Sequence, residues 1–193
     1  GTPFVLPDII PEFVATKSIQ LHSRHNILLI SSFNKDEPIR EAIEAFRKPQ
    51  MKDYYLYVTG NYKKLNESLL QSIPPNVILT GFLEEQEFVN MLFSIDVVMV
   101  LTTADYCMLC GCYEAVSACK PLITSDKEVL REYFEEAVFV ANTAEGISKG
   151  VMQTIEYFPA YKNKICELKK KLTYKWGKKY VSLEDRLSSL LDK

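Results

Sequence analysis

Between Thr102 and Ser125 an apolar run ends in Thr-Thr-Ala-Asp-Tyr-Cys-Met-Leu-Cys, passes Gly111 and enters a helical pattern with one acidic residue, Glu114. A strand that empties into a helix presents unpaired amide N–H groups at the positive end of a helix dipole. In an open α/β sheet such a junction is where phosphate-bearing ligands sit. Glu114 lies about one turn inside the helix. A carboxylate there can accept hydrogen bonds from two vicinal ribose hydroxyls while the backbone of Met108, Leu109, Cys110 and Gly111 holds a diphosphate. On a solvated face the same glutamate would only steady the helix N-terminus, by well under ~1 kcal/mol. Its neighbours Tyr113, Ala115, Val116 and Ala118 are largely apolar, so the helix is expected to pack closely and turn Glu114 toward a cleft.

The same stretch holds three of the five cysteines, Cys107, Cys110 and Cys112, with Cys119 and Cys166 further on. Cys-x-x-Cys-x-Cys could open a metal site, but no second Cys/His pair stands at a matching spacing, and His22 and His25 are distant in sequence. An odd number of clustered cysteines is not a disulfide framework. Reduced intracellular thiols and no bound metal are expected.

Other segments that could meet a ligand are Ser31-Ser32-Phe33-Asn34-Lys35, Thr59-Gly60-Asn61 and Thr80-Gly81-Phe82-Leu83. They are rich in glycine and small hydroxyl residues, which let backbone amides come close to a ligand. None is a Walker loop or a G-x-G-x-x-G fingerprint, so the motifs for ATPase and dinucleotide binding are missing.

The elements that position these loops follow from periodicity. Strands are expected at residues 26–31, 53–59, 76–79, 95–101, 121–124 and 138–140. Helices are expected at 38–46, 63–72, 84–94, 111–119, 127–134 (capped by Asp126), 143–157 (capped by Thr143) and through the tail at 160–191. Strands alternating with helices predict an α/β fold with a doubly wound, parallel, six-stranded sheet and helices on both faces. Residues 1–16, with three prolines, read as an extended linker or edge segment, residues 17–158 as the sheet domain and 159–193 as a basic helical extension.

Gly111-Cys-Tyr-Glu114-Ala115-Val-Ser-Ala118-Cys-Lys-Pro121-Leu-Ile-Thr-Ser125 resembles the donor-binding signature of group 1 glycosyltransferases of the GT-B fold, E-A-x-A-x-G-x-P-V-I. Asn76-Val-Ile-Leu-Thr-Gly81-Phe-Leu is similar to the family's strand and turn that lie against the nucleobase, and Tyr57-Val-Thr-Gly60 to its second strand and glycine turn. The resemblance runs from about Pro3 to Phe158. It implies one Rossmann-like half of a GT-B enzyme, the half that binds a nucleoside-diphosphate sugar, with a retaining, metal-independent transfer to a glycan, lipid or similar acceptor. Glu114 would hold ribose, Gly81, Phe82 and Leu83 the base, and Met108 to Gly111 with Ser31, Ser32, Lys35 and Gly60 the phosphate side. The acceptor site would lie on an N-terminal domain of the full-length enzyme.

The sequence also departs from that pattern. The family's partner glutamate, eight positions before Glu114, is Tyr106 here, with Asp105 adjacent. Its usual arginine and lysine after the first strand would fall near Ser31-Ser32 and Glu37-Pro38, where only Lys35 is close. Tyr106, Asp105 and Lys35 are therefore the candidates for leaving-group chemistry. Two rivals stay open: a GT-B-like binding or assembly module without catalysis, and a sugar-nucleotide epimerase of the same fold.

A formal net charge of −2 over 193 residues gives no reason to expect nucleic acid. No apolar run approaches the roughly 20 residues of a spanning helix, and a soluble, cytoplasmic protein is expected. The lysine-rich tail reads first as a solvated helix face, and otherwise as contact with anionic lipid at the inner face of the membrane.

Overall fold

The computed structural model describes residues 3–22 and 25–191; residues 1 and 2 of the expected linker and 192 and 193 of the expected tail lie outside the described residues. Six strands form one parallel sheet: β1 (His25–Leu29), β2 (Tyr54–Thr59), β3 (Val77–Gly81), β4 (Val97–Val100), β5 (Leu122–Ser125) and β6 (Val138–Val140). Their order, β3-β2-β1-β4-β5-β6, is that of a Rossmann-like sheet, with its topological switch between β1 and β4.

Alternate residues of the central strands serve different helical layers, as a period of two requires. Leu28, Val98 and Val100 enter one apolar cluster, while Ile27, Leu29, Val97 and Met99 enter the other. The first is covered by α3 (Glu85–Ser94), α4 (Cys110–Ser117), α5 (Glu128–Tyr133) and the start of α7 (Phe158–Leu191). The second is covered by α1 (Ile39–Phe46) and α6 (Ala144–Glu156), with Leu69 of α2 (Glu67–Gln71) at its edge. Both sheet faces are therefore dry, which is why the strands read as continuous apolar runs.

Helix starts follow local chemistry. Thr143 accepts from the Gly146 amide and caps α6, as expected. The expected helix over 63–72 is instead a single turn at Tyr62–Lys64 followed by α2, because Asn66 accepts from the Leu69 amide and restarts the chain there. Asp126 does not cap α5; its carboxylate pairs with Arg131, and Lys127 holds the cap position without a side-chain capping bond.

Residues 3–16 run extended across the α3, α4 and α7 side of the sheet. The Thr16 amide donates to Asn90 Oδ1 (2.8 Å), Ser117 Oγ to the Pro11 carbonyl and Trp176 Nε1 to the Pro7 carbonyl (2.9 Å). The 34-residue α7 buries Ile165, Leu168 and Leu172 in the core, and exposes Tyr174, Tyr180, Val181 and Leu187 beyond it. No helix among the described residues is long and apolar enough to cross a membrane.

Candidate nucleotide-sugar donor site

At the carboxyl ends of β1, β2 and β3, beside the start of α4, lies an open cleft of about 290 Å3. Its walls are Ile30, Ser31, Thr59, Gly60, Phe82, Leu83, Glu85, Phe88 and Glu114. Ser31, Gly60, Phe82, Leu83 and Glu114, spread over four segments of the chain, thus meet in one place. Phe82 stands 79% exposed, an aromatic face held out over the cleft.

Two glycines allow this convergence. Gly60 has φ +101°, and a Cβ there would lie 2.1 Å from the Ser31 carbonyl oxygen. At Gly111 a Cβ would press on Val100 (3.0 Å) and Ile30 (3.2 Å), so its absence lets the first turn of α4 sit directly against β4 and the end of β1. That contact carries Glu114, one turn later, to the cleft.

Glu114 is half-buried, and its carboxylate takes no hydrogen bond or ion pair among the described residues. Burial holds its carboxyl above the usual carboxylate range. No side chain caps Leu109 ahead of α4, so the opening amides of that helix have no side-chain acceptor. Gly111 is buried and Cys110 exposed, whereas Met108 packs away from Glu114, in a groove with Tyr113, Tyr133 and residues 5–8. Leu109 is half-buried against the apolar cluster beneath α4.

The cysteines diverge, since residues two apart on a helix do not share a face. Cys112 is buried, with its thiol 3.7 Å from Thr124 Oγ1 and pushed up to about 12 by burial, while Cys110 is exposed. Among the described residues no cluster of three or more His, Cys, Asp or Glu side chains is arranged to hold a metal ion.

The loop after β1 is built differently from its expected role. Ser31 Oγ (2.5 Å), Ser32 Oγ (2.6 Å) and the amides of Ser32 and Phe33 (3.1 Å each) all donate to the Glu37 carboxylate. The Ser32 and Phe33 N–H groups thus point to the same carboxylate, and Phe33 itself adopts φ +56°, which turns the chain that follows back toward it. The two serine hydroxyls expected to face phosphate are therefore already committed. Lys35 is exposed and is not among the cleft's walls. A different cation reaches this loop: Lys64 Nζ donates to the Ser32 carbonyl (2.7 Å) and Asn34 Oδ1 (3.2 Å). Its sequence signal was its place four residues after Gly60, obscured by the helix expected there.

Tyr106 stands 93% exposed, and Asp105 pairs with Lys127 at 2.7 Å. Neither is a wall of the cleft that holds Glu114. His25 opens β1, at the far end of that strand from the cleft, with its ring 4.9 Å from that of Tyr54.

The catalytic domain of cholesterol-alpha-glucosyltransferase from Helicobacter pylori shares the fold with TM-score 0.62 and 17% identity, over 78% of this chain and 98% of that one. Sucrose-phosphate synthase from Thermosynechococcus elongatus aligns with TM-score 0.68 and 17% identity, over 89% of this chain and 47% of its own. HepE from Anabaena, solved with UDP and glucose, aligns with TM-score 0.71 and 14% identity, over 85% of this chain and 48% of its own. The chain thus spans about half the length of the latter two. No curated protein shows significant sequence similarity to it. The family model for glycosyl transferases group 1 matches residues 16–170, all six strands and the first turns of α7, and on that match the chain belongs to the group 1 glycosyl transferases.

Proposed function

We propose that this chain is the donor-binding half of a glycosyltransferase and holds the nucleotide part of a nucleoside-diphosphate sugar in the cleft beside α4. The observation that carries this reading is Glu114: a half-buried carboxylate, raised by burial, facing a cleft with no partner among the described residues. Leaving a polar group desolvated is costly unless something else completes its bonding. A ribose diol supplies two O–H donors at the right spacing. Phe82 and Leu83 offer an apolar surface to the base, and the uncapped amides opening α4 offer donors to the diphosphate. Retention of configuration, independence from metal and transfer to a glycan or lipid acceptor belong to the proposal through the family resemblance.

The proposal extends to the whole protein. An N-terminal domain would supply the acceptor site, with residues 1–16 as the link to it, 17–158 as the donor domain and 159–193 as the extension that crosses back. Transfer would take place in the cytoplasm, with the basic end of α7 within reach of the inner membrane face.

Isothermal titration with UDP, GDP and ADP tests the site. Glu114→Ala should weaken the nucleotide that binds by tenfold or more, as loss of a charged hydrogen bond would. Unchanged affinity would remove Glu114 from the site. A second reading, a donor-like binding module without catalysis, is favoured by one observation: the walls of the cleft include two glutamates and no cation. Sugar transfer by the full-length protein would exclude it.

A further inference from the structure

The Glu37 carboxylate sits where an anionic ligand would. Its Oε1 accepts from the Ser32 hydroxyl (2.6 Å) and amide (3.1 Å), and its Oε2 from the Ser31 hydroxyl (2.5 Å) and the Phe33 amide (3.1 Å). Successive N–H groups turned to one side, the second from a residue at φ +56°, make an anion-binding concavity of the kind that cradles phosphate. Ser31 is at once a wall of the Glu114 cleft and a donor to Glu37, so concavity and cleft are continuous.

We propose that Glu37 is an internal anion that fills the phosphate-binding concavity of this site and sets how tightly the chain holds a diphosphate relative to a bare nucleoside. This rests on the reading of the cleft as a donor site. An incoming phosphate finds its donors taken by a carboxylate tethered a few residues away, a competitor at high effective concentration. Remaining beside Glu37 instead places two like charges in one pocket, which disfavours both. Displacement has its own cost. The neighbouring Asp36 is pinned to the loop after β4, where its carbonyl accepts from the Thr103 amide (2.6 Å) and its carboxylate from Thr102 Oγ1 (3.1 Å). Lys64 bonds the Ser32 carbonyl, which in a trans peptide points away from the Phe33 N–H, so this cation braces the loop from the side opposite the concavity.

The test is calorimetric titration of the wild type, Glu37→Ala and Glu37→Gln with UDP, GDP and ADP, with the corresponding nucleosides, and with inorganic pyrophosphate. The glutamine variant keeps the side chain's volume, and thermal unfolding shows that each variant is folded. The expected result is a diphosphate affinity at least tenfold higher in both variants, with nucleoside affinity unchanged. Equal diphosphate affinities in folded variants, with a nucleoside still bound, would overturn the role of Glu37 and leave the donor site standing. Tighter pyrophosphate with no nucleotide bound by any form would support the concavity and overturn the donor reading. Equal pyrophosphate affinity with no nucleotide bound would overturn both.

Discussion

Two glutamates, one a wall of the cleft and the other bonded to its wall residue Ser31, are treated in opposite ways. Glu37, after β1, is surrounded by hydroxyl and amide donors from Ser31, Ser32 and Phe33. Glu114, in the first turns of α4, is half-buried, and its carboxylate has no hydrogen bond or ion pair among the described residues. The first is satisfied within its loop; the second is an open acceptor, which in the proposed function is the group that meets the ligand. A site that binds an uncharged diol needs an unsatisfied acceptor, whereas a loop that must keep its shape needs a satisfied one.

Gly60→Ala should break the comparison outright, because both halves depend on the Gly60–Ser31 approach. With φ +101° and a Cβ 2.1 Å from the Ser31 oxygen, the substitution is expected to cost about 3 kcal/mol. Urea unfolding would read it, and a loss under about 1 kcal/mol would show that the loops yield easily.

Glu37→Ala removes the acceptor of several donors at once. Water can reach the exposed Ser32, so the expected loss of stability is about 1–2 kcal/mol rather than the sum of the bonds. An unchanged denaturation midpoint would mean that the loop holds its shape without its carboxylate.

Glu114→Gln should do the reverse and stabilise the fold at neutral pH by up to about 1 kcal/mol, roughly 2–4 °C in Tm. The sign follows from burial. A carboxylate raised in the folded state costs nothing below its unfolded value, and its cost grows as pH rises from there through the folded value. The gain should therefore grow as pH rises through the folded value and vanish below about pH 4, the unfolded range. A gain that persists at acid pH would trace to packing instead of charge.

Lys64→Ala is the smallest effect, about 0.5 kcal/mol in stability, since the ammonium is exposed and bonds only carbonyl oxygens. Measured against Glu37→Ala, it separates the contributions of the loop's cation and its anion.

Much of this is legible in the sequence. All six strands stand within a few residues of their expected bounds, because runs such as Ile27-Leu28-Leu29 and Val97-Val98-Met99 have no reading but burial on both faces. Glu114 could be singled out because it is the one acidic residue in the apolar stretch that opens α4. The helix expected over 63–72 was harder: Asn66 is tolerable inside a helix and good at its start, and only packing chose the second. Asp126 had an equally good claim to a cap and an ion pair, and Arg131 took it.

What the sequence determined by itself was the sheet, its parallel winding and the carboxylate placed at a helix start, since these rest on periodicity and on nearest neighbours along the chain. What the tertiary structure decided was which polar groups were still free once the chain had closed. Ser31, Ser32 and Lys35 look alike as ligand residues in a row of letters. The left-handed turn at Phe33 brings Glu37 onto the two serines, and the turn after Gly60 brings Lys64 to their loop in place of Lys35. Such pairings depend on the direction in which each N–H and O–H points, a property of the folded backbone that residue spacing does not carry.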